Sequence, residues 1–217
     1  MSDEQTFRYE GKDADVSWDG RLCIHIQECG RAKGELFVGG RKPWCQPDQV
    51  DIDEVITVVE RCPTGAITFS IKDGSVEETA DDKNTVVVTN NGPLHVRGDL
   101  DIQDVPDDMP GTKFRASICR CGHSNNKPFC DNSHDDAGFV DHGAVGETGE
   151  GLSEDGGPLT IRKAPNGPLL VSGNLTIIAG SGRVAWQGTR TALCRCGHSQ
   201  NKPFCDGAHK AAGFEAE

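Results

Sequence analysis

The chain has 217 residues, of which 35% are hydrophobic and 6% aromatic, with 27 glycines and 11 prolines. This composition excludes a single large core of long helices and favours two or three small, loop-rich modules. The formal net charge of -12 at pH 7 argues against binding to nucleic acid or to anionic membrane surfaces.

Cysteine is abundant, with ten residues in the chain. The first residues lack the basic and apolar regions of a secretion signal, and no stretch has the roughly 18 apolar residues of a membrane span. We therefore expect a cytoplasmic protein, in which cysteines serve as metal ligands or reactive thiols rather than disulfides.

The N-terminal segment, residues 1–72, is expected to form a small α+β domain. A helix is predicted over Asp51–Glu60 because of its acidic start and its periodic aliphatic residues. The segment contains four cysteines, namely Cys23, Cys29, Cys45 and Cys62.

The ending of this segment, RCPTGAITF, together with the Cys-x5-Cys pair, resembles single-cluster bacterial ferredoxins, in particular the divergent mono-cluster domains found beside CDGSH motifs. The middle cysteine of the usual C-x2-C-x2-C run would fall at position 26, which is Ile26. The resemblance implies a 3Fe-4S cluster on Cys23, Cys29 and Cys62. The alternatives are a 4Fe-4S cluster completed by Cys45, a buried structural role for Cys45, and a domain that has lost its cluster.

The rest of the chain is built on a duplication. Residues 91–98, NGPLHVRG, recur as NGPLLVSG at 166–173, and CRCGHSNNKPFC at 119–130 recurs as CRCGHSQNKPFC at 194–205, both with an offset of 75 residues. We call residues 85–140 the first copy and residues 158–217 the second copy. Acidic stretches at 73–84 and 141–157 are expected to be linkers, the latter flexible.

Short strands are expected within each copy around an Asn-Gly-Pro turn. The predicted strands are Thr85–Thr89, Leu94–Val96 and Phe114–Ile118 in the first copy, and Leu159–Ile161, Leu169–Val171 and Arg190–Leu193 in the second. A short helix should follow each Cys-Asp pair, starting near Asp131 or Asp206 and ending at Gly138 or Gly213.

Each copy also contains a C-x-C-x8-C-x3-H motif. Its candidate ligands are Cys119, Cys121, Cys130 and His134 in the first copy, and Cys194, Cys196, Cys205 and His209 in the second. Three thiolates and one imidazole suit either zinc or an iron–sulfur cluster, and the spacing alone leaves both open.

The full string C-x-C-x2-S-x3-P-x-C-D-x-x-H resembles the CDGSH or NEET family. The resemblance implies one 2Fe-2S cluster per motif, with two cysteines on one iron and a cysteine plus a histidine on the other. Gly207 fits the family pattern, whereas the first copy has Asn132 there, which is tolerable if the position needs a positive φ. The implied fold is α+β: a ferredoxin-like domain followed by two β-rich modules that pair within one chain as a pseudo-dimeric, NEET-like β-cap and cluster-binding lobe.

Several flanking residues have open roles. Arg120, Lys127, Arg195 and Lys202 would offset cluster charge, dock an acidic partner or form a solvated surface. His123 and His198 are interpreted as neighbours of the site rather than ligands, and His25, His95 and His142 as ordinary polar positions.

The first functional hypothesis is a monomeric electron carrier that exchanges electrons with redox protein partners. The second is cluster storage or delivery to apo iron–sulfur acceptors, or redox sensing, through the labile histidine ligand. The third is a structural zinc-binding interaction module. No catalytic triad, phosphate loop or carboxylate pair indicates an enzyme.

Overall fold

The computed structural model describes residues 5–216, and its N-terminal part is a small antiparallel sheet covered by a helix. Strands β1 (Thr6–Tyr9), β2 (Ala14–Asp19) and β3 (Ile67–Ile71) pair in the order β1-β2-β3. Helix α1 (Ile52–Glu60) buries Val55, Val58 and Val59, and its N-cap residue Asp51 accepts a hydrogen bond from the Glu54 backbone N–H at 2.8 Å. The helix predicted over Asp51–Glu60 is thus confirmed, with Asp51 as its cap.

The two copies share a single seven-stranded sheet. Its strands are β4 (Thr85–Val88), β5 (Leu94–Arg97), β6 (Asp99–Ile102), β7 (Arg115–Ile118), β8 (Pro158–Lys163), β9 (Leu169–Ile178) and β10 (Val184–Leu193). The order is β6-β8-β9-β4-β5-β7, and β10 pairs with β9. The predicted strands are all present, although β9 and β10 are much longer than expected.

The sheet is formed by strand exchange between the copies. Strand β6 of the first copy pairs in parallel with β8 of the second, with Asp101 opposite Thr160. Strand β4 of the first copy likewise pairs in parallel with the end of β9, with Thr85 opposite Thr176. Each of these pairs equals the other after a shift of 75 residues and exchange of the copies, so the arrangement is approximately two-fold symmetric.

The two cysteine–histidine loops also contact each other reciprocally. A Cβ added at Gly122 would lie 2.6 Å from the carbonyl oxygen of Cys196, and one at Gly197 would lie 2.3 Å from that of Cys121. Both glycines have positive φ, 89° and 82°. Only glycine permits this close approach.

The N-terminal domain packs on the first copy through Arg115, which is fully buried. Its guanidinium donates hydrogen bonds to the carbonyl oxygens of Val59, Cys62 and Ile67 at 2.6, 2.8 and 3.1 Å, and it pairs with Glu78 at 2.8 Å. The interface therefore joins the end of α1 and the Cys62 loop to the strand that leads into the first motif.

The acidic stretches predicted as linkers make fixed contacts. Glu78 and Asn84 are engaged in the interface and in the sheet, respectively. In the 141–157 segment Val145 is buried, and Gly143 accepts a hydrogen bond from Gly180 at 2.8 Å. The expectation of a flexible connection is corrected accordingly, because these segments cover sheet edges and core residues that would otherwise be exposed.

None of the helices within residues 5–216 is sufficiently long and apolar to cross a membrane.

Candidate metal centres

In each copy the four candidate ligands lie in two pairs. In the first copy Cys119 Sγ lies 3.6 Å from Cys121 Sγ, and Cys130 Sγ lies 3.4 Å from His134 Nδ1. In the second copy the corresponding distances are 3.8 Å, between the sulfurs of Cys194 and Cys196, and 3.4 Å, between Cys205 Sγ and His209 Nδ1.

These distances fit two ligands bound to one tetrahedral metal. With metal–sulfur distances of about 2.3 Å and metal–nitrogen distances of about 2.1 Å, tetrahedral geometry separates two sulfurs by about 3.8 Å, and a sulfur and a nitrogen by about 3.6 Å. Among residues 5–216, no three cysteine, histidine, aspartate or glutamate side chains are grouped around one ion position. The donor set of each copy therefore fits two metal ions with two protein ligands each.

Local backbone structure positions both pairs of ligands. In the first copy the first two cysteines follow strand β7 directly, and the third is held beside that strand because the Cys130 N–H donates to the Ser117 carbonyl at 2.8 Å. The short helices α2 (Ser133–Asp136) and α3 (Ala208–Ala211) then carry the histidines one turn later.

The residue before each short helix adopts a left-handed conformation, as the sequence required. Asn132 has φ 70° and Gly207 has φ 88°, so asparagine is an acceptable replacement in the first copy. Asp131 lies one position before this N-cap and accepts a hydrogen bond from the Ser133 N–H at 3.0 Å. Gly138 and Gly213 follow the helix ends with positive φ, which confirms the predicted stop.

Ionisation of the first cysteine pair is uneven. A hydrogen bond from the Cys121 thiol, assisted by backbone N–H groups, lowers the pKa of Cys119 to about 6, whereas the same interaction and burial raise the pKa of Cys121. Burial raises the pKa of Cys130 to about 11. One thiolate therefore forms readily, and a bound cation must stabilise the other two.

Backbone N–H groups contact the sulfurs in both copies. Asn132 N–H donates to Cys130 Sγ and Gly207 N–H to Cys205 Sγ, both at 3.4 Å. His123 and His198 contribute their backbone N–H groups to Cys121 and Cys196, while both residues are exposed. This matches the prediction that these two histidines are neighbours rather than ligands.

The arginines inside the motifs are not solvated, which corrects one of the sequence interpretations. Arg120 is buried, donates to the Gly92 carbonyl at 2.7 Å and lies 5.1 Å from the Phe139 ring centroid. Arg195 is buried beneath Phe214 in the same way, with its Nε 2.9 Å from the Gly167 carbonyl oxygen. Both side chains tie the Asn-Gly-Pro turn to the ligand loop. Lys127 and Lys202 donate to the carbonyls of Ser124 and Ser199.

Three N-terminal cysteines line one cavity of about 310 Å³. They are Cys23, Cys29 and Cys62, and the remaining wall is largely apolar, with Trp18, Ile24, Trp44 and Ile67. Burial and the neighbouring Cys62 and Cys23 thiols raise the pKa of Cys29 to about 11. Three soft donors around an apolar space fit an iron–sulfur cluster shielded from water.

Cys45 does not line this cavity. It is 1% exposed, belongs to the apolar core and pairs across an isolated bridge with Phe37. Burial raises the pKa of its thiol to about 12. These properties are those of a buried structural thiol, the alternative that the sequence left open for Cys45.

His25, interpreted from the sequence as an ordinary polar residue, lies on the wall of the cysteine cavity. Its Nδ1 is 3.9 Å from Cys23 Sγ. The sequence signal that marks it is the Cys-x-His spacing of Cys23 and His25. His95 instead contacts Ser117 Oγ at 2.7 Å, and His142 contacts Asn90 at 3.2 Å.

Comparisons with known proteins agree with these three sites. A family model described as "Iron-binding zinc finger CDGSH type" matches residues 91–135 and 166–210. A second model, "Divergent 4Fe-4S mono-cluster", matches residues 9–72. The protein is therefore of the iron–sulfur class.

More particularly, the chain belongs to the CDGSH-type iron-binding family, with tandem modules preceded by a divergent 4Fe-4S mono-cluster domain. It is similar to "Uncharacterized protein YjdI" of Escherichia coli K12 and of Escherichia coli O157:H7, each 41% identical over 64 residues, which cover 30% of this chain and 84% of the relative. No solved structure matches.

Proposed function

We propose that this chain is an electron carrier that holds one 2Fe-2S cluster in each copy and one 3Fe-4S or 4Fe-4S cluster in the N-terminal domain. Such clusters supply one-electron redox couples. The proposed 2Fe-2S ligands are Cys119, Cys121, Cys130 and His134, and Cys194, Cys196, Cys205 and His209; the proposed N-terminal ligands include Cys23, Cys29 and Cys62. The reciprocal strand exchange supports a pseudo-dimeric, NEET-like β-cap within one chain.

The arrangement of ligands in pairs supports binuclear clusters over single zinc ions. A structural zinc site needs all four donors around one position. Here the separations within the pairs, 3.6 and 3.4 Å in the first copy, match two donors per metal. Two irons bridged by sulfide satisfy such a donor set, and one zinc ion does not.

Electron carriage rests on one observation: the N-terminal cavity and the first CDGSH site share an interface. Asn132, which lies between Cys130 and His134, donates its side-chain amide to the Ile24 carbonyl at 2.7 Å, immediately after Cys23. Arg115 additionally holds the carbonyl of Cys62 at 2.8 Å. These contacts link ligand-bearing loops of the two sites, an arrangement suited to electron exchange within the chain.

The test is a pair of reciprocal substitutions, Asn132→Gly and Gly207→Asn. Both keep a residue that tolerates positive φ, but only the first removes the hydrogen bond to Ile24. After pulsed reduction, we expect internal electron transfer between the N-terminal and first-copy clusters to slow several-fold in Asn132→Gly and to remain unchanged in Gly207→Asn. Equal rates in all three proteins would contradict the proposed route.

Cluster delivery is a second candidate function, and the exposure of the second site favours it there. His134 and Cys130 are buried, whereas His209 and Cys205 are partly exposed. Replacing both histidines by cysteine, as His134→Cys and His209→Cys, should reduce transfer to an apo-acceptor while electron carriage persists. If transfer is unchanged, the delivery hypothesis loses its support.

The cluster content is tested on anaerobically purified protein by iron, sulfide and zinc analysis and by EPR before and after dithionite. The proposal requires two 2Fe-2S signals and one signal of the 3Fe-4S or 4Fe-4S type. Stoichiometric zinc without sulfide would instead identify the zinc-binding module.

A further inference from the structure

We infer that His25 is the fourth protein ligand of the N-terminal cluster, which makes that cluster 4Fe-4S with three cysteines and one histidine. The inference deepens the proposed function and rests on it. It concerns a residue outside the usual cysteine run: the position where that run would have its middle cysteine is Ile26, which is 44% exposed.

The position of the imidazole supports this assignment. His25 lines the same cavity as Cys23, Cys29 and Cys62, and its Nδ1 lies 3.9 Å from Cys23 Sγ. The ring and the thiol therefore face the same space. In each CDGSH site a histidine nitrogen lies similarly close to a cysteine sulfur, at 3.4 Å.

The backbone of the loop is constrained at this residue. His25 and Gln27 both have positive φ, 52° and 67°, in a region that side chains other than glycine rarely adopt. Such conformations concentrate at ligand-binding loops that the surrounding structure holds in place. Here the Asn132 amide holds the Ile24 carbonyl at 2.7 Å, directly before His25.

The competing donors fit less well. Cys45 is in the core and does not line the cavity. Thr64 lines it, but its hydroxyl contacts Cys62 Sγ at 3.3 Å and accepts from the Ala66 N–H at 3.1 Å. Glu28 also lines the cavity, yet a hard carboxylate is a poorer partner for an iron–sulfur cluster than imidazole.

The experiment compares wild-type protein with His25→Ala and His25→Cys, and uses Cys45→Ala and Glu28→Gln as matched controls. All five proteins are purified anaerobically, and iron and sulfide are counted. EPR spectra are recorded in the oxidised and dithionite-reduced states. The two CDGSH signals in the same spectra serve as an internal reference for folding and for the proposed function.

We expect the wild type and both controls to contain about eight irons per chain and a 4Fe-4S signal on reduction. His25→Ala should lose about one iron and show a 3Fe-4S signal in the oxidised state, and His25→Cys should restore the 4Fe-4S signal.

A 3Fe-4S signal in anaerobic wild type, or an intact 4Fe-4S cluster in His25→Ala, would overturn the assignment. Loss of the fourth iron in Cys45→Ala or Glu28→Gln, but not in His25→Ala, would transfer the role to that residue and equally overturn it. In each of these cases the CDGSH signals remain, whereas absence of sulfide from wild type would instead refute the proposed function.

Discussion

Replacing Arg115 by methionine should weaken the N-terminal domain and its attachment to the first copy. The guanidinium is fully buried and is shared among Glu78 and the carbonyls of Val59, Cys62 and Ile67. Methionine fills much of the space but leaves Glu78 without its cation. The Glu78 carboxylate is already largely desolvated, and burial raises its pKa despite the neighbouring arginine.

The expected cost is about 3–5 kcal/mol, the range for removing one member of a buried ion pair. The second copy supplies the control, because Arg190 occupies the equivalent position 75 residues later and is exposed. Arg190→Met should change stability by about 0.5 kcal/mol or less. Adding Glu78→Gln to Arg115→Met should recover part of the loss, since the uncompensated charge is then removed.

Urea unfolding followed by far-ultraviolet circular dichroism and by visible absorption of the clusters measures both effects. The N-terminal chromophore should be lost at a lower urea concentration than the CDGSH chromophores in Arg115→Met. Equal destabilisation by Arg115→Met and Arg190→Met would refute the reasoning, because it would mean that the buried contacts contribute nothing beyond those of an exposed arginine.

Two further predictions concern pH and close packing. Burial lowers the pKa of His95 to about 4, below its unfolded value of about 6.5. The unfolded chain therefore binds the proton first, and stability falls as the pH drops from about 6.5 toward 4, by at most about 1.4 kcal/mol per pH unit. His95→Gln should flatten this slope in urea titrations, and an unchanged slope would contradict the argument. Gly122→Ala and Gly197→Ala should both disrupt cluster binding in visible spectra, because the added Cβ meets backbone of the opposite motif at 2.6 and 2.3 Å. Gly207→Ala, which has φ 88° but nothing within 4 Å, should cost only about 1 kcal/mol and keep its cluster; equal cluster loss in all three variants would count against the close contact.

Local features were predictable from the sequence because they depend on neighbouring residues. The helix after Asp51 follows from its N-cap, and the stops at Gly138 and Gly213 follow from their left-handed conformations. The strand exchange was not predictable, because the parallel pairings of β6 with β8 and of β4 with β9 join residues far apart in sequence. His25 was missed for a related reason: its proximity to the cysteine cavity depends on a loop with positive φ, which no local pattern signals.

The duplicated copies differ where the N-terminal domain contacts the first of them, which argues that the asymmetry is functional. Arg97 donates to the Glu60 carbonyl at 2.9 Å, and the residue 75 positions later is the exposed Ser172. Asn132, held against Ile24, corresponds in the same way to Gly207, whose missing Cβ would meet nothing. Internal electron exchange is therefore supported for the first site. The second site, with its partly exposed Cys205 and His209, is the surface that an external redox partner would approach.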